Sequence, residues 1–153
     1  MRGMGLTILL LAVMTGSVWA ADTAWPWEKY GLPESKLSTC IPKPRDQWWP
    51  NYFKNMMKRE PRETRLVFLG DSITMMWRSQ SNLEGGTNVW EKYYRRYNAA
   101  NFGISGDKTE TILWRLTEGK NLEGMKPEVL VLLIGINNLL QKDTPETTAA
   151  GIR

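Results

Sequence analysis

The run Val129-Leu130-Val131-Leu132-Leu133-Ile134-Gly135 has no polar residue before its closing glycine, follows Pro127, and leads into Ile136-Asn137-Asn138. A strand with one wet face alternates apolar and polar residues, whereas a strand covered on both faces reads as an unbroken apolar stretch. The run therefore predicts a central parallel strand with helices above and below it.

Upstream, Arg65-Leu66-Val67-Phe68-Leu69-Gly70 is a second short apolar run rich in strand formers, and Asn98–Phe102 is a weaker third. Helical spacing marks the segments between them. Trp49–Lys58 places Tyr52, Phe53, Met56 and Met57 at helical intervals and is stopped by Pro61. Thr74–Arg78 reads as a helix or helical turn. Val89–Tyr97 predicts a helix with Trp90, Tyr93, Tyr94 and Tyr97 on one face, and Lys108–Thr117 one with Ile112, Leu113 and Leu116 facing inward. Thr144 before Pro145 and Glu146 is the pattern of an N-cap hydroxyl with proline at the first helical position. Such alternation of helix and strand predicts an α/β domain with a parallel sheet and helices on both faces. A doubly wound sheet has about five strands. The three runs seen here predict an incomplete sheet, its C-terminal part missing from this chain.

Composition removes several classes of function. With 153 residues, 42% hydrophobic and 24% charged, the chain fits one folded domain rather than a disordered or fibrous polymer. The net charge of +4 is mild. Its basic clusters, Lys58-Arg59 with Arg62 and Arg65, and Arg95-Arg96, lie beside predicted helices as solvated faces, without the stripe and motif that nucleic-acid binding needs. The single cysteine, Cys40, can form neither an internal disulfide nor a metal cluster, and there is no histidine.

Residues 1–20 have the order of a secretory signal peptide: Arg2, the apolar stretch Leu6–Met14, then Val18-Trp19-Ala20 before a cleavage expected ahead of Ala21. The expectation is a secreted or periplasmic protein with no membrane span after cleavage. Residues 21–46, rich in Pro and Trp, read as an N-terminal arm, and 47–153 as the folded domain. Trp25, Trp27, Trp48 and Trp49 crowd the arm and its junction, where they either pack the arm onto the domain or line a sugar-binding surface.

In open parallel sheets, functional groups lie on loops past the carboxyl ends of the strands. Three loops qualify. Gly70-Asp71-Ser72-Ile73-Thr74 puts a hydroxyl just past a buried strand at a helix start, although Ser is also a common N-cap. Ile104-Ser105-Gly106-Asp107-Lys108 holds a glycine whose N–H can approach a ligand, or a plain turn before a helix capped by Asp107. A phosphate-binding loop is disfavoured, because Asp107 separates Gly106 from Lys108. Gly135-Ile136-Asn137-Asn138 ends the apolar strand with amides that either point into a site or make a turn. One mechanism joins the loops. Ser72 attacks a carbonyl carbon, and the N–H groups of Ser72 and Gly106 with the Asn137 amide hold the resulting oxyanion.

These three blocks, in this order, resemble those of the SGNH (GDSL-type) hydrolase family, and Asn101-Phe102-Gly103-Ile104 with Leu113-Trp114-Arg115-Leu116 resembles its platelet-activating-factor acetylhydrolase branch. The resemblance covers roughly residues 45–153. It implies a three-layer α/β/α fold of flavodoxin-like type, with 47–153 its N-terminal portion. It also implies nucleophile Ser72, oxyanion donors Gly106 and Asn137, and hydrolysis of short acyl esters, acetyl above all, through an acyl-enzyme. No metal or organic cofactor is implied. The partner is a small-molecule or carbohydrate acyl ester. The family's histidine stands in an Asp-x-x-His block that this chain lacks, so the chain alone is expected to be inactive. The other function in view is a non-catalytic exported carbohydrate-binding protein on the same scaffold.

Overall fold

The computed structural model describes residues 7–10, 37–45, 49–79 and 85–153. Trp25, Trp27, Trp48, most of the segment read as a signal peptide and the first part of the segment read as an arm lie outside them.

The sheet is parallel throughout. Strands β1 (Thr7–Leu10), β2 (Leu66–Gly70), β3 (Ala100–Gly103) and β4 (Val129–Leu133) lie in the order β1-β4-β2-β3. The helices are α1 (Trp49–Arg59), α2 (Ser72–Met76), α3 (Thr87–Val89), α4 (Thr109–Leu116), α5 (Ile136–Leu140) and α6 (Pro145–Ile152). Three of the strands are those expected from the sequence. The fourth comes from the stretch read as a leader: Thr7–Leu10 runs alongside Val129–Leu132, so among the described residues the far side of β4 carries a backbone partner.

Strand β2 shows why the sheet has a layer on each face, because successive side chains point oppositely. Val67 and Leu69 join Trp49, Phe53, Met56, Phe102, Ile104 and Ile112 in one buried cluster. Phe68, between them, joins Trp90 and Ala99 in another. Trp49 is fully buried, stacked on Phe53 at 5.1 Å and edge-on to Trp114 at 5.3 Å. Such geometry adds about 0.5–1.5 kcal/mol per aromatic pair beyond burial.

Three expectations are corrected. In β4 only Leu130 is buried, Val129 is exposed, and Val131–Leu133 are half-buried, so the run is less covered than its composition predicts. The aromatics of Val89–Tyr97 do not share a buried face. A π turn over Trp90–Tyr94 and a 3₁₀ turn over Arg95–Tyr97 alter the helical pitch, leaving Trp90 buried and Tyr93 and Tyr97 exposed. In α4, Leu116 points outward and the charged Arg115 points in, fully buried. Of the two alternatives for Trp49, packing holds: it belongs to the core and lines no sugar-binding surface.

The α6 start follows the sequence pattern, with the Thr144 side chain accepting from the Thr147 N–H and Pro145 in the first turn. Among the described residues no helix is long and apolar enough to cross a membrane.

Candidate active site

Register decides where the three loops begin. Gly70, the last residue of β2, pairs with Gly103 at the end of β3 on one side and with Leu133 at the end of β4 on the other. The loops bearing Ser72, Gly106 and Asn137 therefore leave one edge of the sheet from neighbouring strands. All three residues are partly exposed.

The glycines at this edge serve close packing. A Cβ on Gly70 would collide with the Leu133 carbonyl oxygen and the Thr74 hydroxyl, and one on Gly103 would collide with the backbone of Thr74 and Met75 in α2. The first turn of α2 thus rests directly on the end of β3. Asn101 reinforces the contact, donating from Nδ2 to the Thr74 carbonyl at 2.8 Å and accepting from the Gly103 N–H at 2.9 Å. The Ile104 N–H donates to the Gly70 carbonyl at 3.0 Å, tying the second loop to the first.

Ser72 is not the cap of its helix. Asp71 is, accepting from the Ile73 N–H at 2.9 Å. Ser72 is left as the first helical residue, beside backbone N–H groups that no preceding turn satisfies. Asp71 is wholly buried, and burial raises its carboxyl above the ordinary range against the pull of its backbone hydrogen bonds.

In the second loop Gly106 has φ +78°, a conformation that side chains disfavour. Asp107 does not cap α4, contrary to one of the sequence alternatives; Lys108 occupies the N-cap position. The Asp107 carboxylate is turned into the core. It accepts from Trp49 Nε1 at 2.9 Å and from Arg115 Nη1 at 2.7 Å, and lies 3.7 Å from Arg45 Nη1. Burial pushes Asp107 up and Arg115 down from their ordinary values, and the attraction between the two opposes both shifts. Arg115 also donates to the Phe102 carbonyl at 2.6 Å and to Asn121 Oδ1, so the loop between β3 and α4 is fastened from beneath.

The third loop divides its two asparagines. Asn138 is buried, accepting from the Thr109 N–H at 3.0 Å and donating to Glu110 at 3.0 Å and Asp143 at 3.1 Å. It supplies the first turn of α4 with the acceptor that Lys108 does not. Asn137 is partly exposed and donates from Nδ2 to the Asp107 carbonyl at 2.8 Å, next to Gly106. An amide has two N–H groups, so this bond aims the side chain and leaves a second donor. Gly135, at φ +116°, provides the turn that starts α5. Asn137 is thus fastened to the residue after Gly106, and Ser72 stands just past the end of the strand between theirs.

Glu60, and the burial of Arg115, were not legible in the sequence. Glu60 is buried after α1, paired with Arg78 at 2.7 Å and accepting from the Asn101 N–H at 2.9 Å. Glu60 lies in none of the sequence motifs, and the block that holds Arg115 does not disclose that its charge is buried.

Comparison with known proteins identifies the family. Residues 68–153, more than half of the chain, match the model of the GDSL-like Lipase/Acylhydrolase family. The chain is 33% identical over 107 residues to the platelet-activating factor acetylhydrolase IB subunit alpha2 of Homo sapiens and of Rattus norvegicus, a stretch covering 70% of this chain and 42% of theirs. It is 30% identical, over the same shares, to the alpha1 subunit of Mus musculus. The chain therefore spans less than half the length of the curated relatives it matches. By its three ordered loops and this match, the chain belongs to the GDSL-like lipase/acylhydrolase family.

Proposed function

We propose that the protein to which this chain belongs is a serine esterase acting on short-chain acyl esters, acetyl esters foremost. The observation that carries the reading is the Asn137 amide, aimed by the Asp107 carbonyl at 2.8 Å, beside Gly106 and on the same sheet edge as Ser72. In this mechanism Ser72 Oγ attacks the carbonyl carbon and loses its proton to a base. The oxygen that turns negative is held by the Ser72 and Gly106 N–H groups and by the second N–H of Asn137. Collapse breaks the ester C–O bond, and the alcohol departs with the proton. Water, activated by the same base, then hydrolyses the acyl-enzyme. Donors oriented before charge develops are the source of rate, each worth about 10²–10³-fold.

The chain contains no histidine, so the reading requires a base from elsewhere, which the family resemblance puts in an Asp-x-x-His block. Two apolar side chains adjoin site residues in sequence, Ile73 at 46% exposed and Ile136 at 43%, and offer a rim for an acyl group. The relatives named above are acetylhydrolases, which favours acetyl.

We also propose export through residues 1–20. Cleavage before Ala21 would remove Thr7–Leu10 from the side of β4, so the amino terminus of the purified protein decides whether β1 persists. Sequencing that yields Ala21 supports export; an intact Met1 in the mature protein refutes it. For the esterase reading the test is hydrolysis of p-nitrophenyl acetate by the whole protein encoded by the gene. Ser72→Ala should abolish it, and retained turnover would remove Ser72 from the mechanism.

A further inference from the structure

Arg45, in the arm before α1, lies against the loop that carries Gly106. Its Nη1 donates to the Ser105 carbonyl at 2.6 Å and stands 3.7 Å from the Asp107 carboxylate. These are the residues on either side of Gly106. A Cβ built on Gly106 would meet the guanidinium itself, 2.8 Å from Nη1 and 3.0 Å from Nη2. The group therefore packs across the face of the glycine whose unusual φ fixes the direction of its peptide planes.

The arm is anchored around this contact. The Thr39 hydroxyl donates to the Thr147 carbonyl at 2.6 Å, the Thr109 hydroxyl donates to the Thr39 carbonyl at 3.0 Å, and the Lys43 N–H donates to the Glu110 carbonyl at 3.0 Å. Residues 39 and 43 are thereby fixed to α4 and α6, and Arg45 reaches Gly106 from a tethered backbone. Beneath the loop, Asp107 is already engaged by the buried Arg115 and Trp49. The loop is held from below by the core and from above by the arm.

We infer that Arg45 is a positioning residue for the reaction: its guanidinium brackets Ser105 and Asp107 and holds the Gly106 N–H in the direction that receives the oxyanion. The assignment rests on the esterase reading. A second role follows from charge. The Asp107 carboxylate lies one residue from a site that must accept negative charge, and the Arg45 cation, 3.7 Å from it, adds to Arg115 in offsetting it. Lysine, a point charge without the planar fork, can supply the second role but not the first.

The test compares Arg45→Gln and Arg45→Lys with the unaltered whole protein in p-nitrophenyl acetate kinetics, amide hydrogen exchange and thermal melting. A donor displaced by about 1 Å costs on the order of 10²-fold, so kcat should fall about 10- to 100-fold in Arg45→Gln with KM within about 2-fold. Exchange in peptides spanning residues 104–108 should accelerate while exchange in β2 and β3 stays unchanged. Arg45→Lys should recover only part of kcat. An Arg45→Gln protein with unaltered kcat overturns the assignment, as does a kcat loss with no faster exchange at 104–108. Active Ser72→Ala protein would sink the esterase reading separately, because the exchange result does not depend on turnover.

Discussion

Arg115 and Asp107 meet at 2.7 Å with neither side chain exposed to solvent, and through them the loop bearing Gly106 is joined to the core. Removing one member of a buried pair leaves the other charge uncompensated, at about 3–5 kcal/mol. Arg115→Met should therefore destabilise by about that amount, and pairing it with Asp107→Asn should recover part of the loss. The pH dependence follows from linkage. Burial already raises the Asp107 carboxyl, and loss of Arg115 removes the largest opposing influence. A raised folded-state carboxyl means the native protein binds more protons than the unfolded one, so stability falls as pH rises. Denaturant titrations should find the Arg115→Met defect larger at pH 8 than at pH 5; a defect independent of pH would contradict the pairing.

The sequence announced the sheet through its apolar runs, because strand burial is written in periodicity. Leu66–Gly70 and Val129–Leu133 fall within the runs that predicted them, and Ala100–Gly103 overlaps the predicted Asn98–Phe102, ending one residue later. That the loops bearing Ser72, Gly106 and Asn137 share one sheet edge was legible for a related reason: loops that follow parallel strands emerge there. What supports them was hidden. Arg115 carries a charge that composition assigns to the surface, and only the fold reveals Asp107, Asn121 and the Phe102 carbonyl around it. Asn137 and Asn138 are identical letters, and a rotation of one helical residue separates a partly exposed amide from a buried one. The π turn at Trp90–Tyr94 has no signature in periodicity, so regular helical spacing places all four aromatics of that segment on one face.

The division between the two asparagines has a direct consequence. Asn138→Ala should strip the Thr109 N–H of its acceptor and cost about 1–3 kcal/mol of stability. Asn137→Ala, at a partly exposed site, should melt nearly as the unaltered protein does while kcat falls about 10²–10³-fold. Parallel melting and p-nitrophenyl acetate kinetics check both; the reverse assignment of effects would show that Asn138, not Asn137, faces the reaction.

Gly103 offers a steric test of how Ser72 is positioned. A Cβ there would strike the backbone of Thr74 and Met75, which are not free to yield as the end of a long side chain is. Gly103→Ala should cost about 1–3 kcal/mol as overpacking and shift α2, taking Ser72 with it. The measurable outcome is a lowered melting temperature together with a kcat loss. Wild-type stability and turnover would mean that α2 does not rest on β3 as described.

Asp71 gives the sharpest pH prediction, because its Oδ1 caps α2 while its buried Oδ2 has no hydrogen-bond partner among the described residues. Burial raises its carboxyl and outweighs the backbone hydrogen bonds that lower it. Below the unfolded-state value near pH ~4, Asp71 is neutral in both states and has no effect on the pH slope. As pH climbs from there through the raised folded value, the unfolded chain ionises first and the native state loses stability relative to it. Asn keeps the capping oxygen and is as good an N-cap as Asp, but carries no charge to bury. Asp71→Asn should therefore melt higher than the unaltered protein at pH 7 to 8, with the advantage shrinking toward pH 4. Melting curves across that range check it. An advantage that grows with acidity would mean that Asp71 is stabilised as the anion, and that the positive end of α2 outweighs burial at this position.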